Sequence, residues 1–204
     1  LYAYAQAGEV TDELQLKNIT VAAGEQSLGT IDWHPTKYAR LLWMIGENDR
    51  RSSEFHYSDT VRQYGLWELV PASLTYRIGE SDLAKHWYFA QCKAGTWTVK
   101  FTLDEVPTGT AAITASLAGA TNAGTTVAVK VNGNSVATWK PGVNDAAIYR
   151  SAVNGGRHWR FSNTFKTLYL KKGENTLTLT MSGNGKNGGF LYDCLKLEAG
   201  EIVS

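Results

Sequence analysis

Thr96-Trp97-Thr98-Val99-Lys100-Phe101-Thr102-Leu103 changes from polar to apolar at every step. A period of two sets Trp97, Val99, Phe101 and Leu103 on one face of an extended strand and Thr and Lys on the other, a division that 3.6 residues per turn does not produce. The same alternation returns in Thr126-Val127-Ala128-Val129-Lys130-Val131 and in Thr176-Leu177-Thr178-Leu179-Thr180-Met181. Turn formers bound these runs: Pro107-Thr108-Gly109, Val131-Asn132-Gly133-Asn134, Lys172-Gly173-Glu174-Asn175 and the stretch from Gly183 to Gly189. Asn132-Gly133 is the sharpest signal, because a type I′ turn needs positive φ at both central residues, and it predicts a hairpin from Val127 to Trp139. No long helical period competes, although Asp49 to Phe55 and Ala146 to Asn154 each have room for a turn or two of helix. Short strands at this spacing predict an all-β, two-sheet sandwich of jelly-roll type.

The first 31 residues read differently. Leu1 to Ala5, Gln15 to Val21 and Ser27 to Ile31 are short strand-like runs separated by Gly-containing turns. Three such strands rarely stand alone as a domain, so they are expected to be the end of a preceding domain or edge strands on the main one. Asp32-Trp33-His34-Pro35 is the expected linker, Pro35 stopping the strand, and residues 32–200 the principal domain.

Length and charge narrow the function. The chain has 204 residues, with 20 Lys and Arg against 19 Asp and Glu. That balance supplies no overall field toward nucleic acid or an anionic membrane, so neither is an expected partner and recognition must be local. No apolar run approaches the roughly 20 residues of a membrane span, and the N-terminus lacks the pattern of a signal peptide. Asn18-Ile19-Thr20 fits a glycosylation acceptor and agrees with a secreted, extracellular protein. Cys92 and Cys194 are too far apart in sequence for a redox CxxC pair, and both a disulfide and two buried thiols remain open. The seven Trp and ten Tyr exceed the usual needs of one core. Rings in surplus suit stacking on the C–H face of a pyranose, and large sandwiches also use Trp as core filler.

Leu42-Trp43-Met44-Ile45-Gly46, Asp49-Arg50, Glu54-Phe55, Tyr64-Gly65-Leu66-Trp67-Glu68, Trp87-Tyr88-Phe89-Ala90-Gln91, Gly173-Glu174-Asn175-Thr176-Leu177 and Leu191-Tyr192-Asp193-Cys194-Leu195-Lys196-Leu197-Glu198 occur in this order. Together they resemble the C-terminal domain of family 4 polysaccharide lyases, the rhamnogalacturonan lyases, over about residues 32–199. The resemblance implies a galactose-binding-like jelly roll and makes residues 1–31 the end of a fibronectin III-like domain. It also implies a carbohydrate-binding module without a catalytic centre, whose ligand is a pectic polysaccharide of the plant cell wall, rhamnogalacturonan I or its side chains. The catalytic domain would then lie N-terminal to this chain in the same polypeptide. A purely structural accessory domain and a part of the lyase's own β-eliminating unit are the alternatives.

Candidate binding residues cluster first in a Gly-flexible loop that presents Asn154, Arg157, His158 and Trp159, with Arg150 nearby. Guanidinium forks receive uronate carboxylates and an indole receives a pyranose face. The bland reading makes Trp159 and Phe161 inward residues of a strand whose arginines only solvate its outer face. A second candidate surface joins Asn184 and Lys186 to Trp87 and Tyr88, against which Trp87 reads equally well as core. Arg157, His158, Arg160 and Lys186 could be cast as base and cations of an elimination, but no catalytic motif supports that role. The resemblance also implies a structural calcium where the first and last strands meet, for which Asp49 and Asp193, with Glu54 and Glu198, are the candidate ligands. Salt bridges to Arg50 or Arg51 would explain the same carboxylates.

Overall fold

A computed structural model describes residues 1–7, 10–33, 40–58, 64–122, 124–150 and 155–200. The strands are β1 (Tyr2–Ala7), β2 (Val10–Gln15), β3 (Leu41–Gly46), β4 (Leu74–Arg77), β5 (Ala90–Gln91), β6 (Lys93–Leu103) and β7 (Thr110–Asn122). They continue with β8 (Val127–Val131), β9 (Asn134–Trp139), β10 (Trp159–Lys166), β11 (Gly173–Asn184) and β12 (Gly188–Gly200). Two short helices interrupt them, α1 (Leu83–His86) and α2 (Ala147–Arg150). One five-stranded sheet runs β10-β7-β12-β3 with β5 also on β12, and the other runs β4-β6-β11-β8-β9. The all-β sandwich is therefore observed, its two sheets packed face to face as the alternation required.

The alternating strands fill the space between the sheets. Trp97, Val99 and Phe101 of β6, Leu177, Leu179 and Met181 of β11 and Val127, Val129 and Val131 of β8 are all buried. Opposite them lie Trp43 and Ile45 of β3, Ile113 and Leu117 of β7 and Leu195 and Leu197 of β12. The expected hairpin is present: β8 and β9 close through Asn132 at φ 47° and Gly133 at φ 82°, with Val131 opposite Asn134. Asn132 then joins a buried amide network. Its Nδ2 donates to Asn175 Oδ1 (2.7 Å) and to the Tyr169 carbonyl (2.8 Å), while its Oδ1 accepts from the Thr176 amide (2.9 Å). Fully buried Asn175 in turn accepts from the Lys171 amide and donates to the Lys171 and Gly173 carbonyls. The turn and the start of β11 are thus tied together.

β7 and β12 are different. Their residues are buried almost without interruption, on both faces. The inner face meets the other sheet. The outer face is covered by connecting segments, and the small side chains of β7 allow the cover to come close: a Cβ on Gly119 would lie 3.0 Å from the Gly156 Cα. On that outer face Lys196 and Glu198 form an ion pair at 3.3 Å with almost no exposure.

Several expectations are corrected. Residues 16–33 carry no strand, so the runs Gln15 to Val21 and Ser27 to Ile31 are not strands, and the N-terminal portion contributes the single hairpin β1–β2. Val21 is 85% exposed, Leu28 45% and Ile31 39%; apolar residues without a neighbouring edge to pair with do not make a ladder. Asp49 to Phe55 forms turns and no helix, whereas Ala146 to Asn154 does hold the turn α2. Helix α1, capped by Asp82 accepting from the Ala84 amide, has too few residues to show a period. Residues 34–35 of the expected linker lie outside the described residues.

The two cysteines are free buried thiols, not a disulfide. Cys92 Sγ points to the Trp67 carbonyl at 3.7 Å, and Cys194 Sγ to Asn48 Oδ1 at 3.8 Å. Burial pushes the Cys92 thiol up to about 11 and raises that of Cys194 as well. Both are therefore protonated and shielded at neutral pH. Titration with Ellman's reagent is expected to find no fast-reacting thiol in the native protein and both in urea. A native protein that showed no thiol even in urea would establish a disulfide instead. Asn175→Ala is expected to lower stability by about 2–4 kcal/mol in chemical denaturation, because it strands buried donors and acceptors.

Candidate functional site

Strand β3 ends at Gly46, where φ is 84° and a Cβ would lie 2.3 Å from the Asp193 carbonyl oxygen. Only glycine lets the chain leave the sheet so close to β12. The loop that follows is fastened to β12 from beneath. Asp193 Oδ1 accepts from the amides of Asp49 (3.0 Å) and Arg51 (3.2 Å), and the Ser52 hydroxyl donates to the Tyr192 carbonyl. These bonds hold Arg50 between them in a left-handed conformation at φ 67°. Glu54 Oε1 accepts from the Glu47 amide at 2.7 Å and closes the loop.

A second fastening point is Asp145. Its Oδ1 accepts from the Ala147 amide (2.8 Å), and its Oδ2 from the amides of Ala120 (3.1 Å) and Arg157 (2.8 Å). The start of α2 and Arg157, just before β10, are therefore both drawn onto the end of β7. Ser116, next along the outer face, has its hydroxyl beside the Asp193 carboxyl and 3.0 Å from His158 Nε2. Asp193 thus supports the Arg50 loop directly and borders the His158 side through Ser116.

Above these supports lies a cleft of about 490 Å³ lined by Gln15, Lys17, Arg50, Val143, Arg157, His158, Trp159 and Arg160. Lys17, Arg50, Arg157 and Arg160 are cationic, and no carboxylate is among the described lining residues. The sequence-derived group Arg157, His158 and Trp159 is brought together here. Asn154 and the side chain of Asn184 lie outside the described residues.

Trp159 lies in the inward register of β10, in an edge-to-face contact with Phe161 at 6.4 Å. Its ring also fills the space where a Cβ on Gly142 would be. Trp159 is half-buried, packed against the core at the end of the sandwich while also lining the cleft. Arg160, on the opposite face of the strand, belongs to the cleft. Arg50 and Lys17 escaped sequence reasoning, since they arrive from loops 107 and 140 positions away from Arg157 with no motif to mark them.

The second surface is not assembled as expected. Trp87 is fully buried among Trp97 (5.0 Å between centroids), Tyr192 (5.6 Å) and Tyr76 (5.7 Å), so it is core. Tyr88 sits instead against His56 and Tyr57 at 5.0 and 5.7 Å. Lys186 lies over the ring of Tyr149 at 5.3 Å, next to Arg150 on α2, and does not line the cleft. Lys186 is consequently not grouped with Arg157, His158 and Arg160 as an eliminating site would need.

At the proposed calcium position Asp49, Glu54 and Asp193 do approach one another, and one oxygen of each accepts from a loop amide. Among the described residues no group of three or more His, Cys, Asp or Glu is placed to hold a metal ion. Glu198 is at the other end of β12, paired with Lys196. Burial, outweighing the amide and Ser116 hydrogen bonds, pushes the Asp193 carboxyl up to about 7. Burial likewise pushes Glu54 up to about 7, helped by the charges of Asp49 and Asp193.

An acid raised on folding binds more protons in the folded chain between its ordinary and its raised pKa. Stability therefore falls as pH rises from about 4 toward about 7 and levels off above. Urea unfolding of the native chain is expected to show this decline between about pH 4 and about pH 7, and Asp193→Asn to flatten it by at least about 1 kcal/mol. An unchanged slope in the variant would place the proton uptake elsewhere.

The family described as "CBM-like: Polysaccharide lyase family 4, domain III" matches residues 41–197. A rhamnogalacturonate lyase of Dickeya dadantii is 35% identical over 204 residues, covering 97% of this chain and 34% of the relative. A probable rhamnogalacturonate lyase C of Emericella nidulans is 26% identical over 211 residues, covering 84% of this chain and 19% of the relative. The chain thus spans about a third of the first relative's length and about a fifth of the second's. Among solved structures, a family 35 carbohydrate-binding module from an environmental isolate is similar at 9% identity and a TM-score of 0.38, over 80% of this chain and 100% of its own. On the match across residues 41–197, the chain belongs to the CBM-like domain III family of polysaccharide lyase family 4.

Proposed function

We propose that this chain is a non-catalytic module that holds the acidic backbone of a rhamnogalacturonan-type pectic polysaccharide in the basic cleft, tethering a catalytic domain of the same polypeptide to its substrate. The observation that carries the reading is the cleft's lining: Lys17, Arg50, Arg157 and Arg160, with no carboxylate among its described residues. Arginine presents a planar fork that matches a carboxylate with two parallel hydrogen bonds, and a uronate-bearing polymer offers such carboxylates at regular intervals. The names of the two curated relatives, both rhamnogalacturonate lyases, agree with that ligand. Tethering raises the local concentration of substrate without any new chemistry, and a cell-wall polymer as ligand goes with a secreted protein.

The cleft separates two components of affinity. Ionic contacts weaken as salt shortens the range of charge attraction, to roughly 4 Å near 0.5 M NaCl. Affinity electrophoresis and calorimetry with rhamnogalacturonan I, polygalacturonan, galactan and xylan are expected to show binding to the acidic polymers that declines steeply with salt. Arg157→Ala and Arg160→Ala are each expected to weaken it about tenfold, equivalent to about 1.4 kcal/mol. No binding to any of the polymers, or full binding in the double variant, would sink the proposal.

A further inference from the structure

Where the short helical turns meet at one end of the sandwich, two tyrosines stand exposed. Tyr64 is 66% and Tyr149 41% exposed, with ring centroids 5.3 Å apart and planes inclined at 53°. Neither ring serves the core. Helix α2 is anchored by its neighbours Ala147 and Ile148, both buried, which turns the following Tyr149 outward. Tyr64 precedes a short turn, Leu66–Glu68, in which Leu66 is buried and Trp67 packs against the turn at Gly185, where a Cβ would lie 2.7 Å from its ring. That packing brings Lys186 over Tyr149 at 5.3 Å. No hydrogen bond to either phenol hydroxyl is found among the described residues.

An aromatic pair held apart at this angle by three anchored segments exposes apolar surface that the fold gains nothing from exposing. The inclined rings form a shallow cradle of apolar faces that suits the C–H face of a saturated six-membered ring, and Lys186 sets a cation over Tyr149. A flat aromatic ligand would suit parallel rings better. The cradle is also linked to the basic cleft through Asp145, whose carboxylate accepts from the amides of Ala147, two residues before Tyr149, and of Arg157.

We propose that Tyr64, Tyr149 and Lys186 form a second glycan subsite, which stacks a uronate pyranose on the two rings and receives its carboxylate at Lys186, so that one polysaccharide chain engages this cradle and the basic cleft together. The inference rests on the reading of the chain as a binder of acidic glycan. It adds to that reading a stacking contact that salt does not screen, and it assigns the contact to residues outside the cleft.

The test uses calorimetry and the aromatic resonances of ¹³C-labelled protein, titrated with a rhamnogalacturonan oligosaccharide and separately with a neutral galactan oligosaccharide. Saturable shifts of the Tyr64 and Tyr149 rings are expected with the acidic probe. Tyr149→Ala is expected to weaken binding by roughly threefold to tenfold at low and high salt alike, and Tyr149→Phe, which keeps the ring, to restore it. Lys186→Ala is expected to lower affinity for the acidic probe only. If the acidic oligosaccharide binds with full affinity to Tyr149→Ala and leaves both tyrosine rings unshifted, the subsite is overturned while the cleft reading stands. Equal affinity of the cradle for the neutral probe overturns the uronate assignment. If neither probe binds the unaltered protein, both readings fall.

Discussion

The burial of strand β12 on both faces is the constraint on which the rest depends. Its residues from Gly188 to Ala199 are all buried, and it pairs with β7 along its length and with β3 and β5 on the other side. One face gains from this without complication, because Leu195 and Leu197 meet the opposite sheet. The other face carries Asp193, Lys196 and Glu198, and burying such groups is costly unless each has partners. The partners have to come from somewhere. They are the amides of the 47–54 loop for Asp193, and each other for Lys196 and Glu198.

This requirement locates the functional surface. A carboxylate that must be satisfied draws a loop onto the sheet, and the loop brings Arg50 with it. Asp145 does the same at the neighbouring strand, using three backbone amides to tie Ala147 and Arg157 to the end of β7. The anions lie beneath, spent on backbone N–H groups, and the cations lie above, around the cleft. A balanced overall charge is compatible with a cationic cleft, since Asp145 and Asp193 are directed at backbone amides. The polar interior continues across the sandwich, where the Tyr192 hydroxyl donates to Gln91 Oε1 and Gln91 Nε2 donates to the Leu179 carbonyl of the facing sheet.

The legibility of individual residues follows from the same division. Trp97, Val99 and Phe101 were readable because a strand with one buried face repeats at two, and the repeat survives in sequence. Asn132-Gly133 was readable because its turn is set by local backbone sterics. The strand of Ala111 to Ala120 shows no alternation, since both of its faces are covered and one needs small side chains rather than polar ones. Trp87 and Trp159 could not be sorted from exposed rings by pattern, because each sits at the end of an element where neighbours from distant segments decide its burial.

What the sequence determined by itself is the fold class, the hairpin and the family, all of which rest on local periodicity, turn chemistry or the order of short phrases. Arg157 and His158 were also marked, as members of a basic, glycine-flexible loop. Only the tertiary structure decided that Arg50 and Lys17 join them, that Trp87 is core, that the cysteines are separate thiols and that Tyr64 meets Tyr149. The physical reason is that these outcomes depend on which loops cross the outer face of β7 and β12. That choice is made by buried carboxylates finding backbone amides 25 to 144 residues away, a pairing with no local signature.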